Sequence, residues 1–263
     1  ASAYEDLRRC PYRFFALRML RLQEPDELES DLDKRDFGNW LHAVLRHFHE
    51  ALDGAPDAAP VERSALLDQA AQRATREQGL APGDFLPFAA SWPQLRRAYL
   101  QWLVQHERSG ARYSAAEVQC TMPLGTLTLV GRIDRMDRLP DGRVLVIDYK
   151  TEARAKTQAR IRQPAEDTQL AFYGALLDED SLQALYLNIA ENDETRAFPL
   201  PEVDHWRDLL VQAIMHDMVR IAGGAALPAI GEGSACDHCA ARGLCRKDFW
   251  SAVPPASVEP GHG

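Results

Sequence analysis

The chain has 263 residues, of which 46% are hydrophobic and 26% charged, and it carries a net charge of −9. These are globular proportions, which exclude a disordered, collagen-like or coiled-coil chain. No apolar run approaches the roughly 20 residues of a helical membrane crossing, and the acidic balance excludes a broadly basic nucleic-acid coat while permitting a local basic groove.

Residues 1–22 read as one basic-aromatic helix, with Arg8, Arg9, Arg13, Arg18 and Arg21. Residues 24–36 are acidic and read as a solvated connection. In 36–52 (DFGNWLHAVLRHFHEAL) Phe37, Leu41, Val44, Leu45, Phe48 and Leu52 recur at helical spacing. His42, Arg46 and His49 fall opposite that stripe, which leaves His42 able to face a cleft and puts His47 and His49 in solvent. After a turn at 53–61, helices are expected at 62–79 and 91–108, split by a Pro/Gly break at 82–87.

From about residue 113 the period changes from 3.6 to two. EVQCTM, TLTLVGRIDRMDRL and RVLVIDYKT each alternate, and the PDG between the last two is a hairpin signal. A helix follows at 165–178, a strand at 184–190 and a long helix at 201–221, started by Pro201. Residues 222–235 read as loop and 251–263 as an unordered tail. Helices, three strands, a helix, a strand and a helix make an α/β layered domain.

Five cysteines are too few for a disulfide scaffold, and the first residues lack a signal-peptide pattern. A soluble protein of the reducing cytoplasm is expected. The chain starts without Met inside a helical pattern, which suggests a domain of a longer polypeptide.

The informative segment is GRIDRMDRLPDGRVLVIDYKT. Residues two apart share a strand face, so Val146, Asp148 and Lys150 point one way, and the hairpin can set Asp134 beside Asp148. Two carboxylates about 4 Å apart repel by roughly 4 kcal/mol at an effective dielectric near 20. A divalent cation between them removes that cost, and oxygen ligands with open positions suit Mg²⁺ or Mn²⁺. Glu117, alternating with Val118, is expected to face solvent; Cys120 is expected to be a buried hydrophobe.

CDHCAARGLC has the spacing C-x₂-C-x₅-C, and Cys10 lies far upstream. Four such thiols suit Zn²⁺ or an iron–sulfur cluster, and His238 offers zinc a nitrogen. The basic run 154–162 (RAKTQARIR) offers Arg154, Lys156, Arg160 and Arg162 to a passing strand.

GRIDR, a hairpin and VIDYKT, with Gln169 and Tyr173 in TQLAFYG and His42 in GNWLHAVLRHF, resemble the PD-(D/E)XK nuclease superfamily, RecB/AddB-type branch. The resemblance implies a restriction-endonuclease-like core, a mixed central sheet flanked by helices, with an N-terminal helical region and a C-terminal cysteine clasp. It implies one nuclease domain over 1–250: 1–112 mainly helical, 113–222 the core, 223–250 the cysteines joined to Cys10. His42, Asp134, Asp148 and the Tyr149 carbonyl would hold Mg²⁺ or Mn²⁺, Lys150 would be catalytic, and Gln169 and Tyr173 would support the site. Cys10, Cys236, Cys239 and Cys245 match that branch's 4Fe–4S ligands in order and spacing. Implied too is an exonuclease acting on a DNA single strand or duplex end, beside a helicase subunit in double-strand-break repair. A stand-alone CRISPR-adaptation nuclease and a non-cleaving DNA-end-binding module are the alternatives.

Overall fold

The computed structural model describes residues 2–22, 34–55, 57–80, 86–189, 194–237 and 239–247. The acidic connection up to residue 33, most of the 82–87 break, His238 and the 251–263 tail lie outside them. The N-terminal stretch is α1 (Ser2–Arg9), α2 (Pro11–Phe14) and a π-helical turn (Phe15–Met19), not one helix. The break falls at Cys10, whose extended backbone (φ −160°, ψ 103°) follows from Pro11, which crowds its predecessor out of the helical region.

Next come α3 (Lys34–Asp53), α4 (Pro60–Glu77) and α5 (Leu86–Arg108). The stripe read along α3 is buried at Phe37, Leu41, Val44, Leu45, Phe48 and Leu52. The solvent placement of His47 and His49 is wrong: both are buried. His47 Nε2 pairs with Glu77 at 2.7 Å, and His49 Nε2 lies 2.5 Å from the Tyr99 hydroxyl. Partners from distant helices meet Nε2 of each imidazole, which a single helix's periodicity cannot reveal.

The sheet contains β1 (Arg112–Leu124), β2 (Leu127–Arg138) and β3 (Val144–Lys150). It continues, after α6 (Arg154–Arg162) and α7 (Gln169–Ala175), with β4 (Leu182–Asn188) and β5 (Arg196–Pro199), and α8 (Val203–Ala222) follows. The strand order is β1-β2-β3-β4-β5, with β3 and β4 parallel and the other pairs antiparallel. The mixed α/β sheet is therefore as expected. The PDG turn closes with Gly142 N–H donating to the Leu139 carbonyl at 2.9 Å; Gly142 takes φ +86°, where a side chain would be strained.

Four elements depart from what periodicity shows. β3 is buried from Val144 to Tyr149 instead of alternating, because it sits mid-sheet with helices over both faces. α6 has no apolar stripe, only Thr157 being buried, and β5 is too short to show a period. α7 is seven residues long, half the span expected.

On one face, α3, α4 and α5 form a core with Leu145, Ile147 and Tyr149 of β3 and Leu185 and Leu187 of β4. On the other, α7 seats over Gly131 of β2, where an added Cβ would come within 2.6 Å of Leu176 Cδ1 and 3.3 Å of Phe172 Cε1. α7 also brings Gln169, with Tyr173 beside it, to Asp148 and Lys150 at the end of β3. Cys120 is half-buried rather than buried, and burial raises its thiol pKa.

The chain divides into two compact units, residues 28–216 and residues 2–27 with 217–263. The second holds α1, α2, the end of α8, α9 (Ser234–Asp237) and α10 (Arg242–Cys245). Its buried Asp6 carboxylate takes Arg13 Nε at 2.8 Å and Arg18 Nη2 at 2.7 Å, and the Tyr4 hydroxyl donates to Asp217 at 3.0 Å. Among the described residues no helix is long and apolar enough to cross a membrane.

Candidate active site

β2 and β3 pair through Arg135↔Ile147 and Met136↔Val146, so continuing the register sets Asp134 across from Asp148. β1 and β2 pair through Ala116↔Arg135 and Val118↔Ile133, which sets Glu117 across from Asp134. Three carboxylates thus form a row over three adjacent strands. Like charges facing across a ladder are destabilising, so the row requires compensation.

Part of it comes from α3. His42 Nδ1 lies 3.4 Å from Asp134 Oδ2 and 3.8 Å from Glu117 Oε1. Ligand atoms of His42, Glu117 and Asp134 all lie within 4.8 Å of one another, a set able to hold a divalent cation. Burial pushes the His42 proton off, but Asp134, Glu117 and Asp148 outweigh it and lift the pKa to about 9. Burial and the neighbouring Asp148 lift Asp134 to about 7 against the pull of His42. Asp134 Oδ2 also accepts the Tyr149 N–H at 2.9 Å, so the side chain takes a bond the β2–β3 ladder would have made.

Glu117 corrects the solvent-facing expectation. Its carboxylate is only 17% exposed and lies 3.8 Å from His42 Nδ1 and 3.4 Å from Arg132 Nη1, and its backbone takes φ +51°. Burial raises its pKa, but His42 and Arg132 prevail and hold it below the ordinary value.

Lys150 supplies the second compensating charge. Its ammonium lies 2.7 Å from Asp148 Oδ2 and donates to Gln169 Oε1 at 2.7 Å. Gln169 Nε2 donates to Asp148 Oδ1 at 2.6 Å and lies 3.2 Å from the Tyr173 hydroxyl. One amide from α7 therefore fixes both the acid and the lysine, with Tyr173 one helical turn on. Asp148 Oδ2 is buried and lacks an aligned hydrogen bond, so a lone pair remains for another ligand. Burial and the Asp148 and Asp134 charges hold Tyr173 well above the usual phenol range, so it stays protonated.

The basic run forms α6, and its members differ. Arg160 is locked by Glu152, at 2.6 Å, and Asp167, at 2.5 Å, and so is removed from the strand-contacting set. Lys156 faces Glu152 at 3.5 Å with a largely exposed side chain, Arg154 donates to the Glu194 carbonyl at 3.2 Å, and Arg162 is exposed.

In the second unit, Cys10, Cys236, Cys239 and Cys245 line one small cavity with Arg13, Arg242 and Lys247. All four are free thiols. Gly231 presses on them: a Cβ there would lie 3.1 Å from Cys10 Cβ and 3.4 Å from the sulfurs of Cys10 and Cys236. The lining thus includes cations suited to an anionic thiolate group.

A sequence model of the PD-(D/E)XK nuclease superfamily matches residues 1–246. The B subunit of the ATP-dependent helicase/deoxyribonuclease of Streptococcus equi subsp. zooepidemicus is 27% identical over 185 residues, 68% of this chain and 17% of that protein. The protein of the same name from Symbiobacterium thermophilum is 32% identical over 179 residues, 58% of this chain and 15% of that one. The chain thus spans less than a fifth of the length of these relatives. The crystal structure named "Putative exonuclease" from Eubacterium rectale superposes with a TM-score of 0.53 at 14% identity, over 96% of this chain and 88% of that one, and shares the fold. With the family pattern running through nearly the whole described chain, this protein belongs to the PD-(D/E)XK nuclease superfamily, as a nuclease domain homologous to part of those helicase/deoxyribonuclease subunits.

Proposed function

We propose that the chain hydrolyses DNA phosphodiester bonds as an exonuclease, with Mg²⁺ or Mn²⁺ held by His42, Asp134, Asp148 and the Tyr149 carbonyl. The observation that carries this reading is the row Glu117–Asp134–Asp148, whose buried charge calls for a hard cation. Glu117 completes the acidic wall of that cradle. The bound cation supplies a water of lowered pKa and neutralises phosphate charge. Lys150, fixed by Gln169 and Asp148, points a positive charge at the phosphate where negative charge grows. Tyr173 and Gln169 keep that lysine and Asp148 in register. Arg154, Lys156 and Arg162 on α6 guide a single strand or duplex end.

Residues 1–250 act as one nuclease domain of a longer helicase–nuclease, working with a helicase subunit in cytoplasmic double-strand-break repair and recombination. Support comes from the names of the relatives. Labelled single-stranded DNA is expected to be degraded with Mg²⁺ or Mn²⁺, and to survive when EDTA is added or Asp148→Ala is used. Degradation indifferent to both would identify a contaminant and end the proposal.

Cys10, Cys236, Cys239 and Cys245 hold a 4Fe–4S cluster in this reading. Its support is the shared cavity, the free thiols and the cationic lining. The cluster ties together chain segments more than two hundred residues apart in sequence, restricting the unfolded chain. Anaerobically purified protein is expected to be brown, with about four iron and four sulfide per chain, both lost in Cys239→Ser. A colourless protein with stoichiometric zinc would replace iron by zinc in this assignment.

A further inference from the structure

The row of site residues has a fourth member. β3 and β4 pair in parallel with Asp148 opposite Tyr186, so Tyr186 lies beside Asp148 on the strand after Glu117, Asp134 and Asp148. The Lys150 ammonium sits over the face of the Tyr186 ring, 4.9 Å from its centroid. Tyr186 is almost fully buried, and the Lys150 side chain is only 15% exposed, so this contact is largely shielded from water. A cation over a desolvated aromatic face is held more strongly than one on an open surface.

The ring itself is braced. The Tyr186 hydroxyl donates to Asp167, and Asp167 is gripped by Arg160 at 2.5 Å. Arg160 also holds Glu152 at 2.6 Å through Nε and 3.0 Å through Nη2. Burial, Asp148 and Asp167 keep the phenol well above its usual range, so the hydroxyl remains a donor. The basic run on α6 therefore has an inward use in addition to any outward one. A lysine has a long flexible stem and three rotatable donors, so its direction must come from its surroundings. Asp148 and Gln169 supply two walls of that seat, and the ring supplies the third.

We propose that Tyr186 is a positioning residue that keeps the Lys150 ammonium aimed at the scissile phosphate through its ring face. The inference rests on Lys150 being catalytic, as argued above. The test is a double-mutant cycle on single-turnover cleavage of a labelled single-stranded oligonucleotide with Mg²⁺, each variant checked for folding by circular dichroism. Tyr186→Leu, and Tyr186→Met as a second ring-free variant should Leu unfold, are expected to lower the cleavage rate about 10-fold, with KM moving less than about twofold. Tyr186→Phe, which keeps the ring, is expected to recover the rate to within about threefold of the parent. In a Lys150→Ala background the ring-free change is expected to add less than about twofold, since it acts through the missing ammonium.

A folded ring-free variant with the parent rate would overturn the inference. So would a Phe variant as slow as Leu, or an equal loss with and without Lys150, the mark of a merely structural role. If Lys150→Ala alone cleaves at the parent rate, the catalytic reading of Lys150 fails and takes this inference with it. Failure of the Tyr186 series beside a damaged Lys150→Ala leaves that reading standing.

Discussion

Lys150→Ala is expected to fold and to cleave DNA roughly 10²–10³-fold more slowly than the parent, the cost of removing one fixed charge-stabilising group from an active site. The ammonium is held within 2.7 Å of both Asp148 and Gln169, so no reorganisation is needed when negative charge develops on the phosphate. Its loss has a second consequence. Glu117, Asp134 and Asp148 would be left with His42 and, at Glu117 alone, Arg132 as compensating cations. Two carboxylates about 4 Å apart already cost roughly 4 kcal/mol at an effective dielectric near 20. Thermal melts without divalent ion should therefore show a lower midpoint for Lys150→Ala, and added Mg²⁺ should recover most of it by mass action. Lys150→Arg should not substitute, because a planar fork cannot occupy a seat shaped for a point charge. Rapid cleavage by Lys150→Ala would remove the lysine from the mechanism.

The pairing of Asp134 with Asp148 is legible in the sequence because a strand has period two and a short turn fixes the hairpin register. Once PDG is placed at the bend, the rest of GRIDR and VIDYKT follows by counting. Gln169 and Tyr173 are legible for the corresponding helical reason, four residues being one turn. Glu117 is not, since the His42 imidazole that makes its face of β1 part of a site comes from a helix far away in the chain. Arg160 looks like a groove residue because a run of basic side chains shows nothing of Glu152 and Asp167 folding back onto it. The N-terminal stretch looks like one helix, although Cys-Pro at 10–11 carries the warning. What local pattern fixes is readable; what depends on a partner brought from elsewhere in the chain is not.

The same distinction applies to the layer behind the site, where Arg135 is buried next to Asp134. Its guanidinium grips Asp137 with Nε at 2.7 Å and Nη2 at 2.8 Å, a bidentate pair with both side chains almost wholly out of water. Nη1 reaches His49 Nε2 at 2.8 Å and the Tyr99 hydroxyl at 3.1 Å, and His106 Nε2 contacts Asp137 Oδ2 at 2.7 Å. The network ties α3, which carries His42, to β2, which carries Asp134. Burial and the Arg135 charge keep His49 neutral, its pKa held well below the usual value, so Nε2 accepts from the guanidinium.

Asp137→Asn is expected to destabilise the first unit by about 3–5 kcal/mol, because it leaves a buried guanidinium without its counter-charge. The pH dependence identifies the cause. Burial raises the Asp137 pKa, but Arg135 and His106 prevail and hold it below the ordinary value of 3.8. A depressed carboxyl contributes stability above its unfolded pKa and loses it as pH falls through the folded one. The gap between parent and variant in denaturant unfolding should thus stay constant from about pH 8 to pH 5 and close in stronger acid. A gap below about 1 kcal/mol at neutral pH, or one that persists unchanged in acid, would mean that packing and not this ion pair fixes α3 to β2.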